Sequence, residues 1–211
     1  MGSWAVVVAG GSGARFGGPK QFADLAGRPV VHWALEAARG ACDGVVLVVP
    51  PDRAAEAWPA DLVACGGPSR SASVRSGLAL VPSAAEVIVV HDAARPLARA
   101  SLWRAVVAEV TGSVDGAVPA VAVADTLKKV GPDGSLSTVD RSGLFAVQTP
   151  QAFRADALKA AHARGGEATD DAALVEAAGG RVVLVPGAPD NIKITSPDDL
   201  RIAAALVEAR R

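Results

Sequence analysis

The sequence has little of what several classes of protein require. Only two of its 211 residues are cysteines, Cys42 and Cys65, and they lie far apart without a metal-ligand spacing. A disulfide framework and a zinc site are therefore disfavoured, and a reduced cytoplasmic setting is expected. The longest apolar runs are shorter than the roughly 20 residues that cross a bilayer, so no membrane span is predicted. No basic segment followed by a long apolar stretch opens the chain, so no signal peptide is predicted.

An excess of charge of one sign is also lacking. The chain has 21 basic and 22 acidic residues, which gives a formal net charge of −1. Without global basicity, nucleic acid is not expected as a partner, and any site for an anion must be a local cluster of cations. Half of the residues are hydrophobic, so the chain can bury a full core, and we predict a single domain over residues 1–211.

Short runs of β-branched residues alternate with segments rich in alanine and leucine. The predicted strands cover residues 4–9, 44–49, 62–64, 86–90, 117–123 and 181–185. The predicted helices cover residues 30–39, 71–80, 102–110, 154–163 and 170–178. A last helix is predicted to begin after Ser196, because proline and two aspartates follow in its first turn. This alternation predicts an α/β fold whose mostly parallel sheet is covered by helices on both faces.

Residues 125–140 break the alternation. Their sequence, DTLKKVGPDGSLSTVD, alternates polar and apolar residues around a GPDG turn, which predicts a β-hairpin. We place this inserted β-arm at about residues 124–146. An arm without its own core must pack on something, and a partner subunit is a common solution, so a homodimer is expected. The alternative is a simple surface hairpin.

A glycine-rich segment, GGSGARFGGPK at residues 10–20, follows the first predicted strand. It fails the dinucleotide fingerprint because Phe16 replaces the third glycine, and it fails the P-loop because Gln21 follows Lys20 where a hydroxyl would bind magnesium. What remains is a glycine loop with two cations, Arg15 and Lys20. Glycines let backbone N–H groups approach an anion, and the cations can neutralise a polyphosphate. The alternative is a tight turn with two solvated charges.

A second glycine-rich segment, GGPSRSASVRSG at residues 66–77, leads into a predicted helix. The N-terminus of a helix and its hydroxyl groups suit a nucleotide base or a phosphate. Ser71 or Ser73 could instead simply cap the helix.

Two further segments carry candidate chemistry. The sequence HDAARP follows a buried strand, where the carboxyl ends of parallel strands bind ligands in open α/β sheets. Asp92 suits Mg²⁺ or a hydroxyl, and Arg95 suits a phosphate, although the two could simply form an ion pair. In NIKIT, Lys193 faces away from two isoleucines and is either solvated or functional. No nucleophile motif is present, so direct displacement assisted by cations is favoured over covalent catalysis.

Together, the segments of this chain resemble the 2-C-methyl-D-erythritol 4-phosphate cytidylyltransferase family. The matching segments are AGGSGARF…PKQ, GG…RSASVRSGL, HDAARP, DTLKKV, DRSGLFAVQTPQAF, ATDDAALVE and DNIKIT-x-PDDL, in family order over nearly the whole chain. The resemblance implies a Rossmann-like α/β domain with a protruding β-arm. It also implies Mg²⁺-dependent transfer of CMP from CTP to methylerythritol phosphate, for isoprenoid precursors, by a homodimer whose arms complete each other's sites.

The resemblance also assigns roles to single residues. The catalytic residues would be Arg15, Lys20, Asp92 and Lys193. The nucleotide would be held by Ala9, Gly10, Gly11, Gly67 and Ser73. The methylerythritol phosphate would be bound by Arg95, Thr126 and Arg141, the last two from the partner's arm. No set of metal ligands is implied, and Thr149 and Gln151 belong to the family's TPQ segment without an assigned role.

Four rival interpretations stay open on the sequence. A ribitol 5-phosphate cytidylyltransferase would share the CTP chemistry and differ in the arm. A molybdopterin guanylyltransferase has a similar glycine loop, but HDAARP and the arm argue against it. A non-catalytic nucleotide-binding subunit would be expected to lack Lys20, Asp92 or Lys193. A dinucleotide-dependent oxidoreductase is disfavoured by Phe16.

Overall fold

The computed structural model of the protein describes residues 2–13 and 15–210. The strands in this part of the chain are β1 Ser3–Val8, β2 Asp24–Leu25, β3 Arg28–Pro29, β4 Gly44–Val49, β5 Leu62–Cys65, β6 Val87–Asp92, β7 Gly116–Ala122, β8 Leu127–Val130, β9 Leu136–Val139, β10 Phe145–Val147, β11 Gln151–Arg154 and β12 Val182–Pro186. The helices are α1 Val30–Arg39, α2 Arg70–Leu78, α3 Ala100–Glu109, α4 Ala155–Ala163, α5 Asp171–Ala177 and α6 Pro197–Glu208. Two short 3₁₀ turns cover Lys20–Phe22 and Pro51–Arg53.

The central sheet has the strand order β10-β7-β11-β6-β1-β4-β5, and β12 also pairs with β7. Strands β1, β4, β5, β6, β7 and β12 run in one direction, whereas β10 and β11 run against them. The predicted α/β fold with a mostly parallel sheet is therefore confirmed. The parallel strands all end at one edge of the sheet, which is where this class of fold places its ligands.

Continuous apolar strands form the centre of the sheet because both of its faces are covered. Every residue of β4 and β6 is buried. Side chains alternate between the two faces, so that Val7 packs in the layer that contains α1 and α3, whereas Val6 packs in the layer that contains α2, α4 and α5. This rigid double layer fixes the positions of the strand ends.

The predicted hairpin is confirmed as β8 and β9, which pair from Leu127↔Val139 to Val130↔Leu136. Among the described residues the two strands pair only with each other. The arm exposes apolar side chains, including Val130 at 64% and Leu136 at 67% of their maximum. Val130 and Leu136 pair directly across the hairpin, so the arm presents an apolar pair to solvent.

Two strands of the sheet, β10 and β11, were missed by the sequence analysis. Strand β11 lies between β6 and β7, and the predicted helix that began at Arg154 begins one residue later, as α4. The segment QAFR is short and polar at both ends, so it lacks the apolar pattern of a buried strand, although Gln151 is 1% exposed.

None of the described helices combines the length and the apolar character needed to cross a bilayer.

Candidate active site

A cavity of about 440 Å³ opens at the edge where the parallel strands end. It lies beyond β1 and β6, between the glycine loop, the start of α2 and the segment before α6. Nine of the residues predicted for the site line this cavity: Arg15, Lys20, Asp92, Lys193, Ala9, Gly10, Gly11, Gly67 and Ser73. The structure therefore gathers around one cavity residues from four separate parts of the chain.

The glycine loop is folded back on itself and tied to the sheet. The carbonyl of Gly13 accepts hydrogen bonds from the N–H groups of Phe16 and Gly17, at 2.8 and 3.1 Å. Gly13 has a φ of +68°, and a Cβ there would overlap the carbonyl oxygen of Gly18, so only glycine fits. The amide of buried Gln21 donates to the carbonyl oxygens of Ala9 at 2.7 Å and of Gly11 at 2.9 Å. Where a P-loop has a metal-binding hydroxyl, this loop has a side chain that fastens its own backbone.

The start of α2 forms the opposite wall, and its cap is Ser69. The Ser69 hydroxyl accepts from the N–H of Ala72 at 3.0 Å, so the alternative in which Ser71 or Ser73 caps this helix is wrong. The Ser73 hydroxyl instead accepts from the N–H of Gly67 at 3.1 Å and donates to the carbonyl of Ser69 at 2.9 Å. Ser73 therefore holds the preceding turn against the helix, since its position one turn into α2 puts its hydroxyl beneath that turn.

Asp92 ends β6 and lies between two cations. Its Oδ1 accepts from Nε of Arg70 at 3.0 Å, and its Oδ2 accepts from Nζ of Lys193 at 2.6 Å. The alternative ion pair between Asp92 and Arg95 is therefore wrong. Burial alone would raise the pKa of Asp92, but the charges of Arg70 and Lys193 outweigh it and hold this pKa well below its usual range. The carboxylate stays ionised at every pH at which the protein would work.

The cations around the cavity are close enough to influence one another. The pKa of Lys20 is lowered by its partial burial and then by the positive charges of Lys193 and Arg15. Among the described residues that line the cavity, four side chains are cationic and one is a carboxylate. Positive groups held together in this way repel each other, so an anion that enters the cavity relieves the repulsion.

The residues predicted to bind the second substrate lie elsewhere. Arg95 is outside the cavity lining, and its Nη1 donates to the carbonyl of Asn191 at 2.8 Å. Thr126 and Arg141 are exposed on the arm, where Nη1 of Arg141 donates to the carbonyl of Val123 at 2.7 Å. Within the described part of one chain, the cavity is thus assembled without the arm residues.

A chain of hydrogen bonds behind the cavity orders the end of β6. Nε2 of buried His91 lies 3.1 Å from the carbonyl of Arg95, which can only accept, so this nitrogen carries the proton. Nδ1 then accepts from the hydroxyl of Thr149 at 3.0 Å, and the same hydroxyl oxygen accepts from the N–H of Asp92 at 3.1 Å. This assigns a role to Thr149: it links the TPQ segment to the backbone of Asp92. Gln151 donates to Asp170 at 3.0 Å, away from the cavity lining.

The burial of His91 leads to a prediction about stability. Burial lowers the pKa of His91 to about 3, whereas in the unfolded chain this pKa is near 6.5. The unfolded state alone therefore takes up a proton as the pH falls through 6.5, and the native state loses stability over that window and down to about pH 3. We expect this residue to remove about 2 kcal/mol from the free energy of unfolding between about pH 7 and pH 5. Urea denaturation at pH values from neutral to mildly acidic measures it.

The matched variant for this test is His91→Gln, which does not titrate. Its free energy of unfolding is expected to vary less with pH, with the difference from the wild type close to the contribution of His91. The control is His32→Gln, because His32 lies outside the cavity on α1 and is only partly buried. If the free energy of unfolding changes equally with pH in the wild type and in His91→Gln, the prediction that His91 is buried in its neutral form is wrong.

The described residues offer a single carboxylate of the cavity toward a magnesium ion. No group of three His, Cys, Asp or Glu side chains in the described ranges is placed to hold a metal ion. Asp92 is the one acidic residue among the described residues that line the cavity, and two cations bind its oxygens. Mg²⁺ commonly keeps several waters and is held by one or two carboxylates together with substrate phosphates. A magnesium ion at this cavity would therefore need most of its ligands from the phosphates of a bound nucleotide and from water.

Two functional residues were missed by the sequence analysis. Gln21 was noted only for replacing a hydroxyl, and Arg70 was noted only as part of a segment. Gln21 binds backbone carbonyls of its own loop, and Arg70 binds Asp92 of a separate segment, so no pattern of side chains along the sequence reveals either contact. The sequence did contain one indication of the role of Arg70. This residue directly follows a serine that can cap a helix, and the first turn of that helix lines the cavity.

Comparison with known proteins identifies the family. The family model that matches residues 4–209 describes IspD, 2-C-methyl-D-erythritol 4-phosphate cytidylyltransferase. The enzyme of that name from Rubrobacter xylanophilus is 44% identical over 99% of this chain and 96% of its own length. A bifunctional IspD/IspF enzyme from Anaeromyxobacter dehalogenans is 45% identical over 97% of this chain and 56% of its own length.

The fold agrees with this comparison. The crystal structure of 2-C-methyl-D-erythritol 4-phosphate cytidylyltransferase from Thermus thermophilus matches with a TM-score of 0.79 and 34% identity, covering 96% of this chain and 98% of that one. The cations of the glycine loop, the carboxylate at the end of β6 and the inserted arm all lie within the residues that the family model matches. On these grounds the chain belongs to the 2-C-methyl-D-erythritol 4-phosphate cytidylyltransferase family.

Proposed function

We propose that this protein transfers CMP from CTP to 2-C-methyl-D-erythritol 4-phosphate, giving CDP-methylerythritol and pyrophosphate, in the non-mevalonate route to isoprenoid precursors. The observation that carries the proposal is the convergence of Arg15, Lys20 and Lys193 on one cavity at the carboxyl edge of the sheet. Family membership supplies the identity of the nucleotide and of the acceptor.

The reaction is a displacement at phosphorus. A phosphate oxygen of methylerythritol phosphate attacks the α-phosphorus of CTP, a new P–O bond forms, and the bond to the β-phosphate oxygen breaks as pyrophosphate leaves. Negative charge builds on the α-phosphate and on the leaving group, so catalysis depends on position and charge neutralisation. Arg15 and Lys20 neutralise the triphosphate from the glycine loop, and Lys193 does so from the other side. No side chain needs to form a covalent intermediate.

The nucleotide itself is held by the walls of the cavity. The backbones of Ala9, Gly10 and Gly11 approach the cytidine closely, because the two glycines have no side chain in the way. On the opposite wall, Gly67 must be glycine, since a Cβ there would lie 2.6 Å from Cβ of Ala72. Ser73 keeps that turn in place through its hydrogen bond to Gly67.

Mg²⁺ is proposed as the metal, with Asp92 as the protein carboxylate that would hold it beside the triphosphate. When bound, it supplies positive charge to the phosphates and orients them. The protein's own part is to keep Asp92 ionised and fixed in orientation, which the flanking Arg70 and Lys193 accomplish.

The acceptor is proposed to bind between two copies of the chain. Thr126 and Arg141 lie on the arm, outside the cavity, and Arg95 contacts the base of the arm through the carbonyl of Val147. A homodimer in which each arm reaches the partner's cavity would complete both sites and would cover the exposed apolar side chains of the arm. A cytoplasmic location is proposed as well, since Cys42 and Cys65 are both free thiols.

The test is an assay of pyrophosphate release. The purified protein is incubated with Mg²⁺, one of the four nucleoside triphosphates, and either methylerythritol phosphate or ribitol 5-phosphate. We expect release only with CTP and methylerythritol phosphate. Release with ribitol 5-phosphate instead would make the protein a relative with a different acceptor, and no release with CTP and methylerythritol phosphate would contradict the proposed function.

A further inference from the structure

A line of charged side chains runs from α5 to the cavity. Asp171, the first residue of α5, is completely buried. Its Oδ1 lies 2.9 Å from Nε2 of His162 on α4, and its Oδ2 lies 2.8 Å from Nη2 of Arg70. Nε of the same Arg70 donates to Oδ1 of Asp92 at 3.0 Å. Two carboxylates, one deep in the protein and one at the cavity, therefore share one guanidinium group.

The burial of the Asp171 carboxylate calls for an explanation, because removing a charge from water costs free energy unless charged partners compensate. Asp171 is not needed to cap α5. Asp170 caps this helix, since its side chain accepts from the N–H of Ala173 at 3.1 Å. The contacts of Asp171 are made instead with a cation and with an imidazole that is 2% exposed. An apolar residue would fill this place at lower cost, so the carboxylate serves Arg70.

The shape of Arg70 explains what it gains. The planar guanidinium is held at two of its nitrogens, because Nε donates a hydrogen bond to Asp92 and Nη2 forms a close ion pair with Asp171. The ion pair with Asp171 thereby keeps Nε of Arg70 directed toward Asp92. The group that binds Oδ1 of Asp92 is therefore itself fixed in place. The other oxygen, Oδ2, is bound by Lys193, whose side chain is 41% exposed. Oδ1 of Asp92 is thus bound by Arg70, which is held from the protein interior, whereas Oδ2 is bound by the more exposed Lys193.

We propose that Asp171, supported by His162, is a positioning residue that orients Asp92 through Arg70. The proposal rests on the proposed function, because it gives Asp92 its task beside the triphosphate. Asp171 and His162 lie outside the cavity lining, so they act only through Arg70. Loss of the partners that orient metal-ligating side chains costs about 10- to 100-fold, and by analogy we expect a loss of this order here without contact between Asp171 and the substrate.

The test is a double-mutant cycle on the rate of pyrophosphate release. Asp171→Asn keeps the shape of the side chain and removes its charge, and we expect kcat to fall about 10-fold or more. Asp92→Asn removes the group that Asp171 is proposed to orient, so adding Asp171→Asn to it is expected to cause little further loss. Losses that simply multiply in the double variant would overturn the proposal, because Asp171 would then act without Asp92.

The control is Asp43→Asn. The carboxylate of Asp43 likewise binds a separate segment, by accepting from the N–H of Ser3 at 2.7 Å, but this contact lies at the start of β1, far from the cavity. We expect kcat to stay near the wild-type value in this variant. Should Asp171→Asn fail to fold, His162→Gln enters the same cycle, with a smaller loss of kcat expected and the same lack of further loss when Asp92 is already replaced.

A second readout needs no substrate. The Nε–H proton of Arg70, identified in an NMR spectrum by its loss in Arg70→Lys, is expected to exchange slowly with water in the wild type and in Asp43→Asn. In Asp171→Asn we expect this exchange to be several-fold faster, and unchanged exchange would overturn the proposal. An inactive wild type whose Arg70 proton responds in this way would contradict the proposed function while supporting the positioning of Asp92.

Discussion

Replacing Lys20 by alanine is expected to lower kcat about 10²- to 10³-fold, or roughly 3–4 kcal/mol, and to leave the fold intact. The ammonium group of Lys20 lines the cavity beside Arg15 and Lys193, where charge would build on the α-phosphate and the leaving pyrophosphate. The fold should survive because the hydrogen bonds of this turn are made by the backbone, as from Phe22 to Pro19 at 3.0 Å. Pyrophosphate release at saturating CTP and methylerythritol phosphate measures kcat.

The matched control is Lys159→Ala. Lys159 is a partly buried lysine of α4 that lies outside the cavity, so its loss should change kcat little. Circular dichroism and thermal unfolding check that both variants are folded. A folded Lys20→Ala variant that retains the wild-type kcat would reject the role of Lys20 in the transition state.

Two inactive variants are expected to regain activity when they form mixed dimers. Lys20→Ala disables a cavity, and Arg141→Ala disables an arm. If each arm serves the partner's cavity, a mixed dimer has one site in which both defects meet and one site that is intact. Random exchange in an equal mixture makes about half of the dimers mixed, so activity should return to about a quarter of the wild-type level.

The measurement is pyrophosphate release after the two proteins are unfolded together and refolded, or co-expressed. The control is each variant treated in the same way alone, which should stay inactive. Absence of any recovery, in mixtures shown to contain mixed dimers, would mean that each arm serves its own cavity. A protein that stays monomeric at micromolar concentration would contradict the shared site directly.

The sequence predicted those parts of the molecule that depend on local patterns. Buried parallel strands carry continuous apolar runs, and the glycine loop carries its cations in a short segment, so both could be recognised. The start of α6 was also predictable, because Ser196 and Asp199 form a capping box within one turn. In the same way, the hairpin was visible from its turn and its alternation.

What the sequence could not reveal are contacts between distant segments. Strand β11 exists because it fills a gap between β6 and β7, and its own short segment has no strong strand pattern. The partners of Asp92 were likewise unpredictable, since the neighbouring Arg95 was the obvious candidate and Arg70 took its place. Local spacing favours near neighbours, whereas tertiary packing decides which cation reaches a carboxylate.

The base of the arm is closed by hydrogen bonds, and this has a consequence for how the family can diversify. Phe145 of β10 pairs with Ala122 of β7, and the N–H of Val123 donates to the carbonyl of Leu144 at 3.2 Å. The two ends of the insertion are thus neighbours in one ladder, about 5 Å apart. Changes in the length or sequence of the arm can therefore occur without shifting the register of the sheet. If the arm binds the acceptor as proposed, acceptor choice and nucleotide chemistry can change separately, and exchanging arms between relatives is a route to new acceptors.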